Sequence, residues 1–192
     1  MEKLFSTSHV HQRDRFDFWH DVACKHIVDH NSQPECRQSF HADIAMGSLA
    51  DVGILYFENS PMEVSHTKRH VAQARNDDLL VCRQGAGILA LEQAGREIVL
   101  EAGDIALLDP MLPYQGRFFS GSQCLVFKVP RRALEARVGK TREMVARPIK
   151  PLEFEHSLTS SFLAMLSKHN GTASTPTQEV LRDQTIDLVA MS

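Results

Sequence analysis

Histidines are the residues of this chain best suited to bind a metal, and there are ten of them in 192 residues. An H-x-H pattern occurs once, as His9-Val-His11, in a polar N-terminal stretch that we predict to be disordered. His26 and His30 are four residues apart, but they fall at a predicted helix end, where a cation suits the helix dipole. His66 and His70 have the same spacing where a strand is expected to run into a loop, so the spacing does not bring them together. We therefore predict no metal site and no cofactor.

Motifs of nucleophilic and phosphate-binding enzymes are missing from the sequence. It contains no G-x-S-x-G, no P-loop, and no G-x-G-x-x-G that follows a strand. The pair Gly85-Ala-Gly87 is typical of a tight hairpin. Asp77 and Asp78 lie at a predicted turn, where aspartate side chains hydrogen-bond the local backbone. We expect no catalytic residues and a protein that is not an enzyme.

The cysteine pattern and the net charge predict the cellular compartment of the chain and the class of partner it does not bind. The four cysteines form no C-x-x-C pair and the N-terminus has no apolar leader, so we expect reduced thiols and a cytoplasmic protein. No apolar run approaches the ~20 residues that span a membrane. The formal net charge of −3 argues against direct binding of DNA phosphates by these residues.

The hydrophobic period changes near residues 38 and 131, which divides the chain into three zones. In the first zone, Phe16, Trp19, Ala23 and Ile27 recur at helical spacing and predict an amphipathic helix from about Arg13 to His26. Residues 31–34 then read as a break in the chain.

The second zone alternates short apolar runs with turn residues, the rhythm of an all-β sandwich or barrel. Runs such as residues 78–83 and 104–109 are apolar on both faces, which indicates strands covered on both sides. We predict nine strands, at 39–46, 51–58, 62–68, 78–84, 87–92, 96–100, 104–108, 113–119 and 123–129. The third zone is helical, with a short helix at 131–138 and two longer helices that Gly171 separates.

Several motifs of the middle zone, read in order, are similar to one known family. They are Val64-Ser-His66-Thr67, Cys82-Arg-Gln84-Gly85-Ala-Gly87, Ala94-Gly95-Arg96-Glu97, Leu100-Glu-Ala-Gly103-Asp104, Pro113-Tyr114 and Val129-Pro130-Arg131. Together with the leading Arg15-Phe-Asp-Phe-Trp19 helix, this string resembles the N-terminal effector-binding domain of AraC/XylS-type transcription activators, in the cupin-like subgroup. The likeness covers roughly residues 12 to 190.

The resemblance implies an α+β, mainly β fold: a cupin-like jelly-roll barrel with an N-terminal helix and a C-terminal helical hairpin. It implies a tail and lid helix at 1–37, an effector barrel at 38–130 and a helical dimerisation segment at 131–192. The family's helix-turn-helix unit is absent from these residues and is expected after residue 192, so DNA would be a partner only through that missing unit.

The predicted effector site combines polar or aromatic side chains of the barrel with the lone tryptophan of the lid helix. Its residues are Trp19, His66, Arg69, Arg83 and Tyr114. If Arg69 or Arg83 points inward, it favours an organic or aromatic acid through a bidentate carboxylate contact. The homodimer is predicted to form through an apolar stripe of Phe154, Leu158, Phe162, Met165, Leu181 and Leu188. A stand-alone cupin-like enzyme or small-molecule-binding protein is the alternative.

Overall fold

The computed structural model describes residues 2–74, 76–168 and 173–192. Eleven strands are present in this part of the chain: β1 Glu2–Ser6, β2 Asn31–Pro34, β3 Ala42–Leu49, β4 Val52–Asn59, β5 Met62–His66, β6 Leu79–Ala86, β7 Leu89–Gln93, β8 Arg96–Leu100, β9 Ile105–Leu108, β10 Tyr114–Phe118 and β11 Gln123–Val129. The helices are α1 Arg15–His26, α2 Lys68–Ala72, α3 Arg131–Val138, α4 Phe154–Lys168 and α5 Thr175–Met191. The predicted turn at Gly171 lies outside the described residues.

The strands form two antiparallel sheets that face each other. One has the order β1-β3-β4-β11-β6-β9, and the other has the order β2-β5-β10-β7-β8. Each of the nine predicted strands is present within a few residues of its expected bounds, and the predicted α+β, mainly β class is confirmed. No helix in the described part of the chain is long and apolar enough to cross a membrane.

Two strands contradict the sequence prediction. The N-terminal stretch predicted as disordered contains β1, which pairs antiparallel with β3 from Glu2 opposite Met46 to Ser6 opposite Asp43. The predicted break at 31–34 is β2, which pairs with β5 at the edge of the second sheet. An edge strand with polar residues carries no alternating apolar pattern, so its sequence resembles a loop.

Helices cover the outer face of the six-stranded sheet near β6 and β9. All four residues of β9 are buried, and its backbone bridges to the segment before α4 at Ile149 and Val145. Leu134 of α3, Leu163 of α4 and Ile186 of α5 are fully buried in the same hydrophobic core as the barrel residues. The apolar runs of this region are therefore covered on both sides, as predicted.

Helix α1 packs on the barrel through its predicted face. Phe16, Trp19 and Ala23 are buried, and the rings of Phe16 and Trp19 both contact Phe40 edge-on, with centroids 5.2 and 5.5 Å apart. The helix begins at Arg15, after a 3-10 turn at Gln12–Asp14, and not at Arg13. This packing places Trp19 against the space between the two sheets.

Candidate functional site

An apolar cavity of about 60 Å³ lies between the two sheets. Its walls come from α1, from the loop that follows α1, and from both sheets, and they include Trp19, Ile27, Val28, Met62, Leu80, Leu89, Tyr114, Phe118 and Val126. Pockets that hold drug-sized ligands are several times larger, at about 300–1,000 Å³. The cavity as it stands has room for about two water-sized molecules.

Three polar groups border this cavity without a hydrogen-bond partner among the described residues. The indole Nε1 of Trp19 and the imidazole Nε2 of His30 are buried and unpaired. The Tyr114 hydroxyl has no bond to any described residue, and its burial raises the pKa of that phenol well above its usual value. A buried polar group without a partner costs about 1–3 kcal/mol, so the cavity offers unused hydrogen-bonding capacity.

A larger cleft of about 680 Å³ opens where α1 ends, beside α2. Ile27, Val28 and Leu80 line both this cleft and the inner cavity, so these three side chains form the partition between them. Charges of both signs surround the cleft, with Lys25 and Lys128 opposed by Asp29 and Asp78. Its volume falls in the usual range for a small-molecule site.

His66 ties the cleft to the barrel. Its Nδ1 lies 2.7 Å from the carbonyl oxygen of Asp29, and its Nε2 lies 2.8 Å from the carbonyl oxygen of Pro110. Carbonyl oxygens only accept, so both contacts are hydrogen bonds at once only when the ring carries two N–H groups. The ring also stacks on Tyr114, its partner across β5 and β10, with centroids 5.0 Å apart.

The two predicted arginines do not lie in the cavity or the cleft, which corrects the inward orientation on which the acid argument depended. The Nε of Arg83 donates to the backbone oxygen of Ser160 at 2.8 Å and to its hydroxyl at 3.0 Å, on the outer face of the sheet. Neighbouring Cys82 faces the cavity, and alternation along β6 turns Arg83 the opposite way. Arg69 is exposed on α2.

Two cavity residues were not predicted as part of the site. Cys82 and Cys124 are buried on β6 and β11 and line the cavity. The neighbouring Cys82 thiol, together with burial, holds the pKa of Cys124 well above its usual value. Buried cysteines behave as small apolar residues, so their sequence pattern does not distinguish them from other core residues.

One group of metal-binding atoms is present in the part of the chain that the structure describes. It consists of His20, Cys24 and His30, whose ligand atoms all lie within 4.8 Å of one another. The sequence prediction considered His26 with His30 and missed this set. The i,i+4 spacing of His20 and Cys24 on a predicted helix was the usable pattern.

The predicted dimer residues divide into two groups. Phe154, Leu158 and Met165 are exposed by 77%, 42% and 45% and follow one side of α4. Phe162 and Leu181 are instead partly buried and pack against the protein's own core. Leu188 is half-buried on α5. We call the first three residues the α4 face.

Comparisons with known proteins relate the chain to one family of domains. The sequence model of a family described as AraC-binding-like domain matches residues 19–191. An uncharacterized protein in the nit 5′ region of Bacillus sp. (strain OxB-1) is 29% identical over 146 residues, which are 76% of this chain and 57% of that protein. This chain therefore spans less than two thirds of that relative's length.

A solved structure shares the whole fold. The AraC-like transcriptional activator CuxR superposes with a TM-score of 0.85 over 99% of this chain and 69% of that protein, at 15% sequence identity. The likeness at this identity shows a common fold, including the barrel and the helices that follow it.

Proposed function

Because the chain belongs to the AraC-binding-like domain family, we propose that it is the small-molecule sensing domain of an AraC-type transcription regulator. The observation that carries this proposal is the pairing of a cleft with an apolar cavity between the sheets, the two sharing the walls Ile27, Val28 and Leu80.

We propose that the effector enters through the cleft and displaces this partition. An apolar or aromatic body would then occupy the enlarged cavity, and a polar group would reach the Tyr114 hydroxyl. The effector stabilises the open arrangement only by as much as it binds that arrangement better than the closed one. Lys25 and Lys128 can pair with the carboxylate of an organic or aromatic acid, and Asp29 and Asp78 can pair with an amine, so both classes are tested.

Strand β6 supplies a route from the cavity to the helical tail. Its Leu80 and Cys82 line the cavity, whereas its Arg83 is bonded to Ser160 on α4. An effector that moves β6 would therefore move α4 as well. In this proposal the dimer helices respond to the effector through that connection, and a DNA-binding unit beyond residue 192 would receive the change.

A ligand panel tests the sensing role. Aromatic acids, with amines and neutral amides of the same ring, are titrated into the full chain while melting temperature and the fluorescence of Trp19, the single tryptophan, are recorded. A compound present at 100 times its Kd stabilises the folded state by about 2.7 kcal/mol. We expect one class to raise the melting temperature and to alter Trp19 emission. A panel that changes neither quantity contradicts the proposal.

We further propose that the α4 face forms a homodimer with a second copy of the chain. The substitution Leu158→Asp places a charge in this face and is expected to convert a dimer into a monomer in sedimentation velocity. Val99→Asp is the matched control, because Val99 is 54% exposed on β8, an edge strand of the five-stranded sheet. A monomeric wild type, or a dimeric Leu158→Asp, refutes this interface.

A further inference from the structure

Three side chains with metal-binding atoms converge beside the cleft. His20 and Cys24 lie one turn apart on α1, and His30 comes from the residue just before β2. The Cys24 Sγ lies 3.6 Å from the Nε2 of His20 and 3.8 Å from the Nδ1 of His30. These groups belong to the outer end of the lid helix and not to the interior strands of the barrel.

The spacing of these atoms already suits a tetrahedral ion. With Zn–N bonds of about 2.0–2.1 Å and Zn–S bonds of about 2.3 Å, nitrogen and sulfur ligands of one tetrahedron lie about 3.6 Å apart. The observed Sγ–Nε2 separation of 3.6 Å between Cys24 and His20 agrees with this geometry, and the ligand atoms of all three residues lie within 4.8 Å of one another. His30 would ligate through its Nε2, because its Nδ1 is bonded to the Val28 carbonyl oxygen.

A hydrogen bond to the Nδ1 atom of each imidazole holds both rings in the orientation that a metal ligand needs. The Nδ1 of His20 lies 2.7 Å from the Ser32 hydroxyl, and the Nδ1 of His30 lies 2.7 Å from the carbonyl oxygen of Val28. Metal-bound histidines usually have such a bond on the ring nitrogen that does not ligate. The His30 ring is buried, and its Nε2 has no partner among the described residues.

We propose that His20, Cys24 and His30 form a binding site for Zn²⁺ or a similar borderline-soft divalent cation. One thiolate and two neutral imidazoles suit Zn²⁺ far better than Mg²⁺ or Ca²⁺, which require oxygen ligands. Three protein ligands leave a fourth position for water or for the nearby Asp29 carboxylate. On binding, the thiol proton of Cys24 is released to solvent and the sulfur forms the bond to the metal.

This position gives the ion a structural consequence. The ion would join α1 to His30, the residue just before β2, and so fix the lid helix on the barrel. The His30 ring contacts Trp19, with centroids 6.2 Å apart, and both residues border the inner cavity. Metal binding is therefore expected to alter Trp19 fluorescence. The proposal does not depend on the sensing role of the cavity.

Cobalt provides the direct test, because Co²⁺ reports both geometry and ligand type. The full chain is prepared reduced, metal-free and without a histidine tag, and is titrated with Co²⁺ and then Zn²⁺. We expect one Co²⁺ per chain with a tetrahedral visible spectrum and a thiolate charge-transfer band, both lost when Zn²⁺ replaces it. Zn²⁺ is also expected to raise the melting temperature and to release a proton.

Variants separate this site from surface histidines. Cys24→Ser is expected to lose the charge-transfer band, and both Cys24→Ser and His20→Gln are expected to lose the Zn²⁺-induced rise in melting temperature. The controls Cys36→Ser and His26→Gln alter an exposed thiol and another histidine of α1, and are expected to bind as the wild type does. Far-UV circular dichroism shows that each variant is folded, and His20→Gln serves if Cys24→Ser is not.

Three results would overturn the site. They are a wild type without the thiolate band at one equivalent of Co²⁺, a folded Cys24→Ser that binds Zn²⁺ as tightly as the wild type, and an octahedral spectrum that neither variant changes. The last result means weak binding at surface histidines only.

Discussion

At the scale of single residues, the Tyr114 hydroxyl separates a stability role from a binding role. It makes no hydrogen bond to a described residue, so Tyr114→Phe removes the hydroxyl without breaking a bond within the protein. We expect the free energy of unfolding to stay the same or to rise by about 1 kcal/mol, and the affinity for the effector to fall. Urea denaturation and ligand titration measure the two effects.

Tyr56 is the matched control, because it is the only other tyrosine and its hydroxyl bonds to Glu58 on the same strand. It lines neither the cavity nor the cleft. Tyr56→Phe should leave effector affinity unchanged. A Tyr114→Phe variant that binds the effector as well as the wild type would remove the hydroxyl from the proposed site.

The sequence located part of the candidate site and misplaced the rest for a definite reason. Trp19, His66 and Tyr114 were predicted, and the structure gathers them around the cavity and its rim. Arg83 was misplaced because successive strand residues face opposite sides, and a run that is apolar on both faces does not show which side is inside. The effector contacts themselves stay a prediction.

At the scale of elements, the variants Arg83→Ala and Arg69→Ala compare a bonded arginine with an exposed one. Arg83→Ala breaks the two bonds from β6 to Ser160 on α4, and we expect a loss of about 1–2 kcal/mol in unfolding free energy. Arg69→Ala changes an exposed side chain and should stay within about 0.5 kcal/mol of the wild type. Both should keep wild-type effector affinity in a titration. Weakened binding in either variant would restore the original prediction for that arginine.

Two hairpin glycines test how much a steric clash of an added Cβ costs beyond the strain of a positive φ. Gly87 and Gly95 both have positive φ, of 65° and 73°. A Cβ added at Gly87 would lie 2.7 Å from the Gly121 carbonyl oxygen, whereas a Cβ added at Gly95 would meet no atom within 4 Å. Gly95→Ala should cost about 1–2 kcal/mol from the left-handed backbone alone. Gly87→Ala should cost a further ~1–3 kcal/mol from overpacking. Equal losses in urea denaturation would contradict this account.

Strands were predictable where they are buried and unpredictable where they lie at an edge. Continuous apolar residues predict β6 and β9, because both faces of these strands are covered. β2 reads Asn-Ser-Gln-Pro and is half-exposed along its length, so nothing in its composition distinguishes it from a loop. Its existence depends on the partner strand β5, which local sequence does not reveal.

At the scale of the whole molecule, the barrel and the helical tail share one hydrophobic core. Leu134, Leu163 and Ile186 are buried in the cluster that contains the barrel residues, and Arg182 of α5 makes a two-pronged ion pair with Asp51 at 2.7 and 3.0 Å. We therefore expect the predicted zones at 38–130 and 131–192 to unfold together.

Two probes check this cooperativity. Trp19 fluorescence reports on the barrel, and far-UV circular dichroism at a helical wavelength is dominated by α4 and α5. The two urea transitions should have the same midpoint, as two-state unfolding requires. A helical signal that is lost at lower urea than the Trp19 signal would show that the tail is a separate unit.

The position of β11 has a consequence for folding during synthesis on the ribosome. This strand, Gln123–Val129, lies between β4 and β6 in the six-stranded sheet. A ribosome adds about 5–20 residues per second, so β4 waits roughly 4–14 s after its own synthesis before its central neighbour has been made. Throughout that interval an apolar strand edge stays open on the nascent chain. We therefore expect the emerging polypeptide to be prone to pairing with other chains through that edge until β11 has been made.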